Sequence, residues 1–297
     1  MKIGIPRSFY FWLYPGLWET FFQGLGMEPV VSGRSTRRTL EAAVEQTESE
    51  HCLPHKLFDG HVQQLAGRVD ALFVPRVLSM TAGHICCPRF GALPDATRAG
   101  VAGNCPVISI DINETAEPLE KTLIRLGRQL GASRRTAAAA ARAALDEYRR
   151  REREDVLVQH APRDARSFLL LGHPYTLRDA FIADPIIGRL TAMGVPVELM
   201  TFEEKNLPAG PILWCTFHRM HRRLTAIDLH RHAGVIQITT FNCGCDSMMT
   251  ERFRRECAHR KVPYMLLMVD EHTGRAGIDT RIEAFVDSLT WKKKAAP

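Results

Sequence analysis

The stretch Lys2–Ser32, "KIGIPRSFYFWLYPGLWETFFQGLGMEPVVS", decides the fold. "KIGIP" is a short apolar run and reads as a strand. "YPGLWETFFQGLG" places apolar residues at helical spacing and closes on glycine. "MEPVVSG" returns to a strand. Two strands joined by a helix form a parallel pair, because an antiparallel pair needs only a tight turn. The same order recurs later in the chain. "SFLLLG" (167–172) leads into "HPYTLRD", then into a helix closing "IGRLTAMG", then into "PVELMTF" (196–202). Each copy is a strand, a proline-bearing turn, a helix ending at a Met–Gly or Gly–Met pair, and a second strand.

Working outward, "TRRTLEAAVEQT" predicts a helix, "VDALFVPRV" a strand and "CPVISIDI" another. Residues 114–159 lack strand signals and are rich in Ala, Leu, Arg and Glu. Two helices are expected there, separated at Gly131-Ala132-Ser133. Beyond 166 the predicted strands are "SFLLLG", "PVELMTF", "PILWCTF", "GVIQITTF" and "YMLLMV". A last helix follows over "DTRIEAFVDSLTW", with a loose "KKKAAP" tail. The expected architecture is α/β: two Rossmann-like, doubly wound lobes with mainly parallel sheets. They span 1–112 and 161–297 and are joined by a helical connection over 113–160. In such sheets ligands bind beyond the carboxyl ends of the strands.

The 297 residues are 45% hydrophobic, which suits ordered domains rather than a disordered chain. No segment approaches the roughly 18 consecutive apolar residues of a membrane span. Pro6, Arg7 and Ser8 interrupt the first apolar run, so it does not read as a signal peptide. A cytoplasmic location is expected, with no membrane role. The net charge is +6. Arginines cluster over 125–153 and in "ERFRRECAHRK", where interleaved acids point to solvated helix faces. No aromatic-studded basic motif argues for nucleic acid. Neither a phosphate-binding loop nor an intact dinucleotide fingerprint is present.

Eight cysteines are too few for a secreted disulfide scaffold of this length. Three lie in turns beside proline or glycine: Cys52 in "HCLPHK", Cys87 in "HICCPRF" and Cys243 in "NCGCDS". Cys86 and Cys245 are their close neighbours. A turn would aim these thiols outward, whereas a strand would send Cys243 and Cys245 to one face. Cys105, at the start of a strand, Cys215, in a buried strand, and Cys257, in a helix, read as core. Thiolates select zinc, copper(I) or iron–sulfur clusters. Paired zinc knuckles are absent, and widely separated cysteines suit a cluster or catalytic metal held between lobes. His61, His173 and His272 sit beside glycine or acids in expected loops, and Asp270 and Glu271 flank His272.

Eight segments carry a resemblance in order along the chain: "MKIGIPR", "FFQGLGMEPVVS", "CLPHKLFDGHVQQL", "DALFVPRV", "CPRFGALPD", "LGHPY", "FNCGCDS" and "LLMVDEHTGRAGIDTRIEAFVD". Together they resemble the acyl-CoA dehydratase activase-related proteins. These in turn are similar to the D-component of 2-hydroxyacyl-CoA dehydratases and to benzoyl-CoA reductase subunits. The resemblance implies a 4Fe–4S cluster between two lobes, with Cys52, Cys87 and Cys243 as ligands. Cys87 is preferred to Cys86 because it directly precedes proline. Cys86 and Cys245 depart from the pattern and are candidates for a fourth thiolate or a larger cluster. The implied partner is an ATP-dependent activase delivering a low-potential electron, with an acyl-CoA or other small molecule as substrate. A dimer is compatible with this reading. Two other functions fit the same residues: a non-catalytic assembly or regulatory module for an activase-like partner, and a zinc-dependent hydrolase or lyase.

Overall fold

The computed structural model describes residues 1–158, 166–200 and 212–294. The chain divides into two compact units, Met1–Val156 with Phe202–Arg219, and Leu157–Thr201 with Met220–Pro297. The two helices predicted over the connection therefore belong with the first unit.

The first unit begins β1 (Lys2–Ile5), α1 (Tyr10–Leu13), α2 (Leu17–Gly24), β2 (Glu28–Val31), α3 (Arg37–Val44) and α4 (Leu53–Leu65). It continues β3 (Ala71–Phe73), β4 (Arg76–Ser79), α5 (Pro88–Ala99), β5 (Val107–Ile108), β6 (Asp111–Asn113), α6 (Leu119–Gln129) and α7 (Arg134–Val158). Its main sheet has the order β2-β1-β3-β5, and every pair is parallel. The second unit contains β7 (Ser167–Leu171), α8 (Pro174–Leu177), α9 (Ala180–Ala192) and β8 (Val197–Leu199). The helix α10 (Cys215–Thr225) begins in the first unit and ends in the second, which continues with β9 (His232–Thr240), α11 (Gly244–His259), β10 (Tyr264–Val269) and α12 (Arg275–Lys294). Its sheet order, β8-β7-β9-β10, is again parallel throughout and repeats the order of the first.

The internal similarity extends to the helix ends. Gly26 (φ +75°) and Gly194 (φ +70°) occupy left-handed backbone after α2 and α9. The N–H of the following residue reaches back to the helix in both, Met27 to Phe22 O at 3.0 Å and Val195 to Leu190 O at 2.9 Å. A glycine supplies that conformation without a Cβ penalty.

Two predicted strands are split. "VDALFVPRV" becomes β3 and β4, and "CPVISIDI" becomes β5 and β6. β4 and β6 form a separate two-stranded parallel sheet. Pro75 lacks a ladder donor, so the main sheet ends before it. "ILWCTF" is not a strand either. Trp214 makes one isolated parallel bridge with Ile85, and a helix starts at Cys215. Buried Phe217, Met220 and Leu224 follow helical spacing, which overrides the short apolar run. α12 starts before the predicted Asp279 and runs through Lys294, so the first part of the expected loose tail is helical. Residues 295–297, Thr201, Phe202 and Pro211 lie outside the described set.

The core of the first unit is aromatic. Phe73 packs against Trp18 at 4.7 Å and Phe22 at 5.0 Å between ring centroids. The Tyr10 hydroxyl donates to the Phe73 carbonyl. The arginine-rich helices pair with their own acids, for example Arg149 with Asp146 at 3.1 Å and both Arg254 and Arg255 with Glu251 at 2.7 Å.

Gly60 sits where α3 crosses α4, and a Cβ there would lie 2.2 Å from the Thr39 carbonyl oxygen. Gly60→Ala is expected to cost about 1–3 kcal/mol through overpacking, measured by urea unfolding. In the second unit Glu198 contacts Arg223, Arg231 at 2.9 Å and His232 at 3.3 Å. Burial alone would raise its carboxyl, but a hydrogen bond from His232 and the charge of Arg223 carry it down to about 2. A carboxyl depressed by folding contributes its full stability above 4.5, its ordinary value, and loses that contribution as pH falls toward 2. The thermal midpoint of the native protein should therefore fall more steeply over that window than that of Glu198→Gln.

Candidate functional site

Cys52, Cys87 and Cys243 share one placement: each is the residue just before a helix. Cys52 caps α4, with Pro54 in the first turn, and Cys87 caps α5, with Pro88 following. Cys243 caps α11 at Gly244. Proline in a first turn loses nothing, because its missing N–H would have no helical acceptor. The first-turn N–H groups that remain form the positive end of the helix and suit anionic ligands and thiolates.

In the first unit the turns of Cys52 and Cys87 are tied together by the residues around them. Arg89, two residues after Cys87, donates to the carbonyl of Glu50 at 2.6 Å and lies 3.4 Å from Nδ1 of His55. Phe9 packs against both His55 (5.3 Å) and Phe90 (4.7 Å). The Ser8 hydroxyl donates to the Pro54 carbonyl at 3.1 Å. Phe9 and Ser8 follow β1, so both helix N-termini gather at the carboxyl end of that strand. Phe9 is buried with φ +49° and ψ −110°, a costly conformation for a residue with a Cβ.

His51, His55 and Asp59 lie beside Cys52 at four-residue intervals. Their donor atoms fall within 4.8 Å of one another. The two imidazoles stack at 3.7 Å, and His51 Nδ1 is 2.8 Å from Asp59 Oδ2. Burial, then the neighbouring His51 and Arg89, hold His55 down at about 3, so its ring is neutral at ordinary pH. Burial raises Asp59, partly offset by its bond to His51.

In the second unit the chain leaves β7 for one neighbour, β8, and later fills the other side with β9. That reversal is where doubly wound sheets bind ligands. His173 follows β7, and Thr239, Cys243 and Asp246 follow along β9 and α11. Asp246 is buried and accepts from the Thr239 hydroxyl and from Nε2 of His173 at 3.1 Å. His173 stacks on Tyr175 at 4.8 Å. The Asp246 N–H donates to the Cys243 sulfur at 3.5 Å. Donor atoms of His173, Cys243 and Asp246 lie within 4.8 Å of one another. Such a set can hold a metal or orient a thiolate.

The remaining predicted residues are placed differently. Cys245 lies buried inside α11, about 200° around the helix from position 243, so the two do not share a strand face. Cys86 is buried against Cys215 with 3.8 Å between sulfurs. That contact, then burial, raises the Cys86 thiol. Cys105 is half-buried ahead of β5. Burial pushes Cys257 up to about 12, as befits a core thiol. His61 is not in a loop. It is fully buried within α4, bonded to the Ser35 hydroxyl at 2.9 Å, and burial holds it down at about 4. His272 stands exposed in the turn after β10, while Asp270 accepts from Thr273 at 2.8 Å. A cleft of about 820 Å³ in the first unit is lined by Thr81, Glu114, Glu117, Tyr148, Arg149 and Arg219 among others, and by none of the cysteines.

The family described as "CoA enzyme activase uncharacterised domain" matches residues 2–202. The chain belongs to this family. The match takes in both Cys52 and Cys87, and it ends ahead of Cys243. No curated protein matches this chain. Among solved structures it is similar to the SBP FpvC from Pseudomonas aeruginosa in complex with Mn2+. That alignment has 11% identity and a TM-score of 0.27, covering 100% of this chain and 99% of that one. It is similar also to ZnuA, at 10% identity and a TM-score of 0.26, covering 98% of each chain. A periplasmic heme-binding protein from Pseudomonas aeruginosa gives 15% identity and a TM-score of 0.25, covering 96% of this chain and 92% of that one. Likeness at this level bears on neither fold nor ligand. Among the described residues no helix is long and apolar enough to cross a membrane.

Sequence reasoning missed His51, His55, Asp59 and Asp246. The four-residue spacing 51–55–59, running from the turn before α4 into that helix, was the available signal for the first three. Asp246→Ala leaves His173 and Thr239 without their acceptor and is expected to cost about 1–3 kcal/mol in urea unfolding. Asp246→Asn keeps one acceptor oxygen and should recover part of that loss.

Proposed function

We propose that this protein carries an iron–sulfur cluster of the 4Fe–4S type on Cys52, Cys87 and Cys243. In this reading it resembles the dehydratase D-component. It takes one low-potential electron from an ATP-driven activase and passes it to an acyl-CoA or another small acceptor. The observation that supports the reading is the common placement of the three thiols, each at the N-terminus of a helix in a parallel α/β unit. The cluster would supply one-electron chemistry, and thiolates are the donors such clusters take.

The chain's own residues have definable tasks. Backbone N–H groups in the first turns of α4, α5 and α11 favour the negative charge of bound thiolates. Arg89 adds a fixed cation between the turns of Cys52 and Cys87. Phe9 and Phe90 keep water from that end of the sheet. Asp246 fixes His173 through Nε2 and holds Cys243 through its backbone N–H.

Anaerobic reconstitution with iron and sulfide tests the proposal. About four irons and four acid-labile sulfides per chain are expected, with a visible band that dithionite bleaches. Cys52→Ser and Cys87→Ser should each reduce retained iron severalfold while far-ultraviolet dichroism stays unchanged. Iron that is not retained, or is retained equally by both variants, overturns the reading.

A further inference from the structure

The pair Cys86 and Cys215 stands apart from the three thiols above. It joins segments 129 positions apart in the sequence. The isolated bridge between Ile85 and Trp214 brings them together: Ile85 N–H donates to the Leu213 carbonyl at 3.0 Å, and Cys215 N–H to the Ile85 carbonyl at 3.1 Å. In this register Cys86 lies opposite Cys215, and His84 and His218 flank them in "HIC" (84–86) and "CTFH" (215–218), so two histidines accompany the two cysteines. All four residues belong to the first unit and all four are buried.

We propose that His84, Cys86, Cys215 and His218 form a tetrahedral site for a single zinc-like divalent cation, separate from Cys52, Cys87 and Cys243. Three observations carry this. First, the sulfurs lie 3.8 Å apart. Two thiolates each about 2.3 Å from a tetrahedral ion are separated by about 3.8 Å. Second, His84 is 1% exposed, and its Nδ1 lies 3.2 Å from the Ala82 carbonyl. A carbonyl can only accept, so Nδ1 carries the proton and Nε2 presents a lone pair. That Nε2 is buried with no hydrogen-bond partner. A backbone carbonyl on one ring nitrogen and an ion on the other is the usual arrangement of a ligating histidine. Third, His218 lies three residues after Cys215 on the first turn of α10, hence on the same helix face. Its ring centroid is 4.6 Å from that of His84.

No three of these four donors fall within 4.8 Å of one another, as those of His173, Cys243 and Asp246 do, so ligation requires both imidazoles to swing toward the thiols. Two thiolates neutralise the charge of a divalent cation. A hydrogen-bonded thiol pair in the core, or a disulfide, accounts for the sulfurs but leaves Nε2 of His84 buried and unsatisfied, at a cost of about 1–3 kcal/mol. With four protein ligands the site is closed, so its role is to fasten residues 212–218 onto the first unit rather than to perform chemistry.

The test uses the full-length protein, reduced and stripped with chelator under anaerobic conditions, and titrated with cobalt(II). One cobalt per chain is expected to give a sulfur-to-cobalt charge-transfer band and intense tetrahedral d–d bands, displaced by zinc. The bands should persist in the Cys52→Ser/Cys87→Ser/Cys243→Ser protein and disappear in Cys86→Ser/Cys215→Ser. His84→Gln should weaken cobalt binding at least about tenfold. As a check independent of the serine variants, zinc should raise the thermal midpoint of the native protein by more than that of His84→Gln at the same zinc concentration. The proposal is overturned if the native protein shows no thiolate–cobalt band. It is equally overturned if the band follows Cys52, Cys87 and Cys243 instead, or if zinc raises both midpoints alike. None of these outcomes alters the iron and sulfide result expected for the cluster.

Discussion

In a parallel sheet each connecting helix runs back against the strands, so helix N-termini collect along the carboxyl edge. There the first backbone N–H groups have no helical acceptor, and whatever occupies the edge must satisfy them. This constraint organises both units. It puts the turns of Cys52 and Cys87 beyond β1, and it puts Cys243 and Asp246 beyond β9. A cysteine in that position lies next to the first-turn N–H groups, whether buried, as Cys52 is, or half-buried, as Cys87 and Cys243 are. This separates Cys52, Cys87 and Cys243 from Cys257, which the same fold buries on the inner face of a helix.

The polar groups around the thiols are expensive to bury and are satisfied in different ways. Asp246 is saturated by Thr239, His173 and its own helix, which fixes the region around Cys243. On the other unit the stacked His51 and His55 share Asp59, and burial keeps His55 neutral. Arg89 bridges two turns by binding a backbone carbonyl, a contact that survives changes in the side chains nearby. Phe9 is held in an unfavourable backbone conformation between His55 and Phe90, so aromatic packing outweighs local strain there. His84 is an exception, because its buried Nε2 has no hydrogen-bond partner within the chain.

Much of the fold was legible because its signals are local. The apolar runs of β1 and β7, the Met–Gly helix ends and the break at Gly131 each depend on a few neighbouring residues. The turn positions of Cys52 and Cys87 were marked by the prolines after them, while the helices that those turns open were not read. Short apolar runs were less informative. "ILWCTF" and "VDALFVPRV" contain residues that fit a strand or a buried helix turn equally well, and only packing decides between them. His61 looked like a loop residue because Gly60 precedes it. That glycine instead serves a helix crossing, where the Thr39 carbonyl leaves no room for a Cβ.

By itself the amino-acid sequence determined the repeated strand–helix–strand pattern, the parallel character of both sheets and the turn position of three thiols. These follow from periodicity and from proline and glycine stereochemistry, which act over a few residues. Tertiary structure alone decided that Cys86 meets Cys215, that His173 meets Asp246, and that Arg89 reaches Glu50 and His55. Those contacts join positions 34 to 129 residues apart. Their geometry is set by strand register and helix packing, which no local pattern encodes.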